Sequence, residues 1–414
     1  MAAELQAPPD ASARSAQRLA WLVFGVGVTA ALHIGKLPVA IPVLQIALDL
    51  SLIQAGFLLS LVQLAGMTLG LFVGLLADRV GPRRVMQVGL LLLAAGSALG
   101  ALAPGVGWLL ASRVVEGLGF LLAVLPAPGL LRQRVMHAPT LARALGWWGA
   151  YMPLGTALAL LLGAALIGGV GWRGTWLILS ALALLACAVF SWRVSPPAAL
   201  AASGGVAALG PRLQRTLHSP GPWLVGLAFF LYSGQWLAVI GFLPTLYHQA
   251  GYSGAVLGAL TALAAGVNML GNVAAGRLLA SGARPGRVLQ AAYISMALGA
   301  AMAFGDVGPL WLQYLAVLVF SAVGGLIPGT LFGVAVHLAP DADTVSTTVG
   351  WMQQLSALGQ FVGPPTVAWL AVQVGGWHWT WMATGACSLL GVGVALQLQR
   401  VWAGHGRPGK SPAV

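Results

Sequence analysis

Two pairs of ionisable residues stand where an apolar chain has least reason to keep them. His33 and Lys36 interrupt one long apolar run, and Arg113 and Glu116 interrupt another. Each pair is spaced three apart, which on a helix puts both members on one face. A Lys or Arg at the centre of a membrane helix costs about 2.5–3.5 kcal/mol on insertion scales, so it is a functional candidate by default. Lys and Arg bind carboxylates and similar oxyanions through charge-assisted hydrogen bonds. Glu116 and His33 are groups that can take up and release a proton. With His33 counted neutral, Lys36 and Arg113 against Glu116 leave a single net positive charge.

The elements that must hold these groups follow from composition. Of 414 residues, 59% are hydrophobic and 7% charged, with a mean hydropathy of +0.89. A soluble domain has about 45–50% apolar and about 25% charged residues. This chain is therefore expected to be an all-α integral membrane protein with the lipid bilayer as its solvent. A span needs about 20 apolar residues. Twelve segments qualify: 19–43, 53–77, 85–103, 108–130, 143–168, 174–194, 221–246, 253–276, 287–304, 309–333, 344–371 and 377–399. Helix is the spanning form for such runs, because lipid offers the backbone no hydrogen-bond partners. Several spans carry proline (Pro38, Pro42, Pro126, Pro153, Pro328, Pro364), which membrane helices tolerate at kinks.

Charge sets the expected orientation. With both termini cytoplasmic, every Lys and Arg falls on the cytoplasmic side except Lys36 and Arg113, within spans, and Arg173, outside. That is the positive-inside pattern. It accounts for the net charge of +12 without nucleic acid, which is excluded as a partner. The first eighteen residues lack an apolar core with a cleavage site and read as a cytoplasmic tail rather than a signal peptide. Cys187 and Cys387 lie in apolar runs and form no metal-ligand cluster. Neither metal nor cofactor is expected. On this topology Lys36 lies about 10 Å, and Arg113 about 8 Å, below the outer edge at 1.5 Å per residue.

The expected divisions are a tail at 1–18, a six-helix bundle at 19–194, a linker at 195–220, a second bundle at 221–400 and a tail at 401–414. The linker is rich in Pro, Gly, Ala and Ser, and the two halves echo each other. "GWRGTW" (Gly171–Trp176) answers "GWHWTW" (Gly376–Trp381), and "GAYMP" (Gly149–Pro153) answers "GQFVGP" (Gly359–Pro364). "GLLADRVGPRR" (Gly74–Arg84) answers "GRLLASGARPGRV" (Gly276–Val288), with the acid missing. Parallel repeats of this kind occur in transporters whose substrate site lies at the repeat interface.

On these residues the chain resembles the major facilitator superfamily over about 19–400. Its signature after the second helix, G-x-L-A-D-R-x-G-R-K, is met by Gly74, Leu76, Ala77, Asp78, Arg79, Gly81 and Arg83, with Pro82 where a basic residue usually stands. The resemblance implies a latch between the halves at Gly74, Asp78, Arg79, Gly81 and Arg83. A topology-only role for these residues stands beside it. Arg113, Glu116, Gly117 and Gly119 match the fourth-helix signature with Glu in place of Gln. The fifth-helix G-x-x-x-G-P is partly met at Gly149 and Pro153, with Met152 at the second Gly. It is better met at Gly359, Gly363 and Pro364. "GKLPVAIP" and "GQFVGPP" look most like the cyanate and nitroimidazole porter group.

The fold so implied is twelve helices in two pseudo-symmetric six-helix bundles, the major facilitator fold. Its first and fourth helices line a central cavity, so Lys36, His33 and Arg113 are expected to face one aqueous pocket. Tyr151, Tyr232, Gln235, Asn268, Gln354 and Gln360 are the neutral hydrogen-bonding candidates around it, with Trp147, Trp148, Asn272 and Gln353 nearby. The expected function is secondary transport of a small solute by alternating access. The substrate is taken as a small anion, with coupling to protons through Glu116 and His33 or to exchange. No GxxxxGK[ST] phosphate loop is present. Bracing of span four by Arg113 with Glu116, and snorkelling of Lys36 to the interface, are the structural alternatives. Efflux of hydrophobic drug-like compounds is the functional one. A membrane-embedded transferase is disfavoured, since the acids are scattered and Asp341 with Asp343 is the only close pair. The protein is expected to work as a monomer in a bacterial inner membrane.

Overall fold

Long apolar runs flanked by arginines and glycines fold into helix after helix. The computed structural model describes residues 9–196, 209–305 and 307–405, and among these no strand occurs. Eleven helical segments are long and apolar enough to cross a membrane, and one of them, Arg143–Arg193, holds 51 residues. A straight helix of that length would run about 77 Å at 1.5 Å per residue, far beyond about 30 Å of hydrocarbon. Gly171 breaks it with φ 71° and ψ 170°, a conformation that costs a residue without Cβ little. Spans five and six meet there, and the twelve expected spans are present.

Span one is Pro9–Leu48, ten residues longer at its start than the apolar run, because its Ala-, Arg- and Gln-containing lead is a competent helix former. Span two is broken: helices Leu52–Ser60 and Leu64–Val80 flank a 3-10 turn at Leu61–Gln63. Span three is Pro82–Ala101, and span four is Val106–Val124 with Ala127–Arg134, parted at Pro126. Span five opens with Ala138–Trp148 and enters Tyr151–Arg193, which beyond Gly171 is span six. Spans seven and eight are Pro220–Gln249 and Gly254–Gly266 with Asn268–Ala280. Spans nine and ten are Pro285–Phe304 and Leu310–Gly324 with Leu326–His337. Spans eleven and twelve are Val345–Val374 and Thr380–His405. The linker is not wholly irregular, since Leu209–His218 forms a helix. Its Thr216 bonds Thr347 (2.6 Å) and its Arg215 pairs with Asp341 (2.5 Å), docking it at the base of span eleven.

Each half packs its first span against its fifth at glycines. A Cβ on Gly155 would sit 2.8 Å from the Val28 carbonyl, and one on Gly234 would sit 2.6 Å from the Gly359 carbonyl. Gly359 and Gly363 in turn leave no room for a Cβ against the span-seven backbone. Small residues at such crossings let membrane helices approach closely. The glycines of the "GQFVGP" stretch thus serve packing between spans seven and eleven.

The halves meet along an antiparallel seam of spans two and eleven. Gly56 lies against Pro365, Gly66 against Ala357, and Leu71 against Gly350. Two amides cross this seam: Gln63 Nε2 donates to Gln360 Oε1 (3.0 Å), and Gln354 Nε2 to the Met67 carbonyl (2.7 Å). At the end away from the termini, Leu37, Ile41 and Leu44 share one apolar cluster with Ala238, Phe242 and Val367. The outer surface is lined with exposed apolar side chains such as Phe72, Leu298 and Leu389, as a lipid-facing surface requires.

Gly359→Ala should strain the span seven–eleven crossing by about 1–3 kcal/mol. It is expected to lower the apparent melting temperature of the detergent-solubilised protein. Gly25→Ala, with nothing within 4 Å of the new methyl, is expected to leave it unchanged.

Candidate functional site

The two ionisable pairs converge. Spans one and four bring His33, Lys36, Arg113 and Glu116 into one cluster inside the first bundle, each at most 1% exposed. Glu116 is its hub. One carboxylate oxygen, Oε1, pairs with the Lys36 ammonium and lies 3.2 Å from His33 Nδ1; the other, Oε2, pairs with Arg113 Nη1. Lys36 also donates to Ser97 Oγ (2.8 Å), whose hydroxyl in turn donates a hydrogen bond to the Trp176 carbonyl (2.8 Å). The Lys36 ammonium stands 4.5 Å from the centre of the Trp176 ring, a cation–π contact. Arg113 Nη1 donates further to the His33 carbonyl (2.9 Å), and Nε to the Leu58 carbonyl of span two (3.2 Å).

Local sequence explains how four spans come this near. On span three, a Cβ at Gly96 would lie 2.7 Å from Glu116 Cγ, and one at Gly100 2.7 Å from the Trp176 ring. Two glycines one turn apart, with Ser97 beside the first, thus form the groove that admits the span-four acid and the span-six indole. Two nitrogens of the cluster, His33 Nε2 and Arg113 Nη2, are buried with no hydrogen-bond partner among the described residues. Unpaired buried donors are uncommon and call for an explanation.

This placement differs from the expected aqueous pocket between the halves. Lys36 and Arg113 point into the first bundle, because Glu116 pairs with both and Ser97 and the Trp176 ring hold the Lys36 ammonium. Snorkelling of Lys36 is ruled out by its burial. The neutral candidates fall into separate groups. Tyr151 stacks on Trp148 at 4.4 Å, and both rings pack over Gly27. Tyr232 OH accepts from Asn268 Nδ2 (2.8 Å), which also reaches the Ser321 carbonyl, and Asn272 bonds Asn268. Gln235 accepts from Ser388 on span twelve (3.0 Å). Gln354 and Gln360 sit in the seam.

At the span two–three turn, Gly81 takes φ 93° and Pro82 opens span three. Arg83 donates to the carbonyls of Val194 (2.5 Å) and Ser191 (2.9 Å), tying the turn to the end of span six within the same half. Arg79 is exposed and Gly74 half-buried, while the Asp78 side chain lies outside the described residues.

Ser97, Trp176 and Gln63 were not singled out from sequence as site residues. Gln63 carried a readable signal, a lone amide in the middle of an apolar span.

Comparison with known proteins agrees with this architecture. The family model described as Major Facilitator Superfamily matches residues 22–364. The 2-nitroimidazole transporter of Escherichia coli (strain K12) is 31% identical over 223 residues, 52% of this chain, and the match spans about half (54%) of that relative's length. The cyanate transport protein CynX of the same strain is 26% identical over 291 residues, 70% of this chain and 71% of that one. A solved structure of a bacterial homolog of the human lysosomal transporter Spinster, inward-facing and occupied, superposes with a TM-score of 0.78. It covers 99% of this chain and 100% of that one at 16% identity, a likeness of fold.

Removing one partner of a buried ion pair costs about 3–5 kcal/mol because a charge is left uncompensated. Glu116→Gln strands two cations and is expected to lower the apparent melting temperature more than Lys36→Met, which leaves Arg113 and Glu116 paired. Adding Lys36→Met to Glu116→Gln should recover part of the loss. Equal effects of the two single substitutions would show that Glu116 is not the hub.

Proposed function

Since this chain belongs to the major facilitator superfamily, we propose that it moves a small monoanion across a bacterial inner membrane by alternating access, with both termini in the cytoplasm. The observation that carries the anion reading is the buried cluster of spans one and four. It holds one positive charge more than it neutralises, and Arg113 Nη2 stands inside it without an acceptor. A monoanion supplies both the missing charge and the missing acceptor, through the kind of charge-assisted bond that guanidinium groups favour. Burial of all four groups restricts the ligand to one of few atoms. The similarity to a cyanate transport protein is consistent with that size and charge.

Within this reading Lys36, Arg113 and His33 hold the anion. Glu116 is the group it displaces or the group that takes up a proton so the cations are freed, with His33 Nδ1 beside it as an exchange partner. Tyr151, Tyr232, Gln235, Asn268, Gln354 and Gln360 belong to the surfaces the solute passes as the halves rock. Gly74, Asp78, Arg79, Gly81 and Arg83, at the end of span two and the turn after it, form the cytoplasmic latch between the halves, with Arg83 fixing the turn to span six. The protein acts as a monomer. A neutral planar heterocycle is the competing substrate class, favoured by the Trp148–Tyr151 stack and by the similarity to a 2-nitroimidazole transporter.

A ligand of the folded state stabilises by about 2.7 kcal/mol at a hundredfold excess over its Kd. Purified protein is expected to melt higher with cyanate, nitrate or formate, and Lys36→Met is expected to abolish that shift. If 2-nitroimidazole raises the melting temperature and none of the anions does, the substrate is the heterocycle and the anion reading fails.

A further inference from the structure

The 3-10 turn at Leu61–Gln63 sits in mid-span, between the ion cluster on one side and the seam on the other. Irregular backbone at membrane depth is tolerated only where protein satisfies it, and here span four does so. Leu58 lies in the last turn of the helix that ends at Ser60, where the chain passes directly into the 3-10 turn. Arg113 Nε donates to it (3.2 Å) while Nη1 of the same guanidinium holds Glu116. One position after Glu116, a Cβ on Gly117 would lie 2.5 Å from the Val62 carbonyl, so span four rests directly on the turn. At the end of the turn, Gln63 reaches across to Gln360 of the second half (3.0 Å), and Gln360 bonds Ser356 (3.4 Å).

We propose that this turn is the joint through which the ion cluster of the first half sets the amide clasp between the halves, with Gln63 and Gln360 as positioning residues for transport. A rigid planar guanidinium bridges the Glu116 carboxylate and the Leu58 carbonyl, so it cannot follow one without shifting against the other. A change in the Glu116–Arg113 pairing therefore alters the support of the turn, and the turn carries Gln63. Short 3-10 stretches inside longer helices often mark hinges. Two states follow, turn supported with clasp formed and turn released with clasp open. Such coupling is reciprocal: loosening the clasp must loosen span four.

The test is amide hydrogen exchange on the full chain in lipid nanodiscs, with no solute added. Gln360→Ala removes the acceptor from the second half, away from the buried charges. It is expected to speed exchange about fivefold or more at 58–64 and also at 113–117 on span four, which Gln360 does not touch. Thr366→Ala, on the exposed face of the same span, is the control and should change neither. Arg113→Lys keeps the charge beside Glu116 but loses the fork, and should speed exchange at 356–364. Acceleration confined to spans two and eleven in Gln360→Ala overturns the proposal, and so does an unchanged 356–364 in a folded Arg113→Lys protein. If Arg113→Lys does not fold, the Gln360→Ala arm decides alone. Because no ligand is present, either result leaves the anion reading standing or falling on its own melting experiment.

Discussion

A single carboxylate shared between two cations in the dark of a helix bundle is what the first half is organised around. Glu116 is reached by side chains from span one and by its own neighbour on span four, while span three supplies a hydroxyl and span six a ring face. A buried charge is tolerated only if paired and hydrogen-bonded, so the positions of four spans are not independent. The glycines at 96 and 100 exist in that context as the space the acid and the indole occupy. The same dependence makes the cluster responsive, since any change in the charge of Glu116 is felt at once by every span around it.

The two halves share a backbone plan and differ in chemistry. The first span crosses the fifth, and the seventh crosses the eleventh, at small residues in both bundles. Where the first half keeps ions, the second keeps amides, hydroxyls and a phenol: Tyr232, Asn268 and Ser321 in one group, Gln235 and Ser388 in another. Neutral groups in low dielectric hold one arrangement once satisfied. One half is thereby suited to respond to charge, and the other to serve as a fixed counterpart.

The architecture was legible because lipid leaves the backbone one option, and twelve apolar runs with arginines gathered in alternate connections state it directly. A boundary between spans five and six beside Gly171 and the pairing of Arg113 with Glu116 followed from local rules. The direction in which Lys36 points did not. Periodicity says which residues share a helix face but not which neighbour that face meets, and Ser97 and Trp176, sixty-one and more positions away, decided it. Asparagine and glutamine were read as one neutral lining, whereas Gln63 and Gln360, 297 positions apart, became a bond between halves. Long-range pairing of this kind leaves no periodic trace.

The separation of Lys36 from Glu116 has a bearing on how the protein is made. Eighty residues part the two, and at about 5–20 residues per second the ribosome takes several seconds to cover that interval. Through that time the first span stands in the bilayer with an ammonium that has no counter-ion, its insertion carried by the leucines, valines and isoleucines around it. The nascent helix is thus a provisional guest in the membrane until the fourth arrives. A substitution at Glu116 would be felt first by the quality-control proteases of the cell, before any solute has crossed.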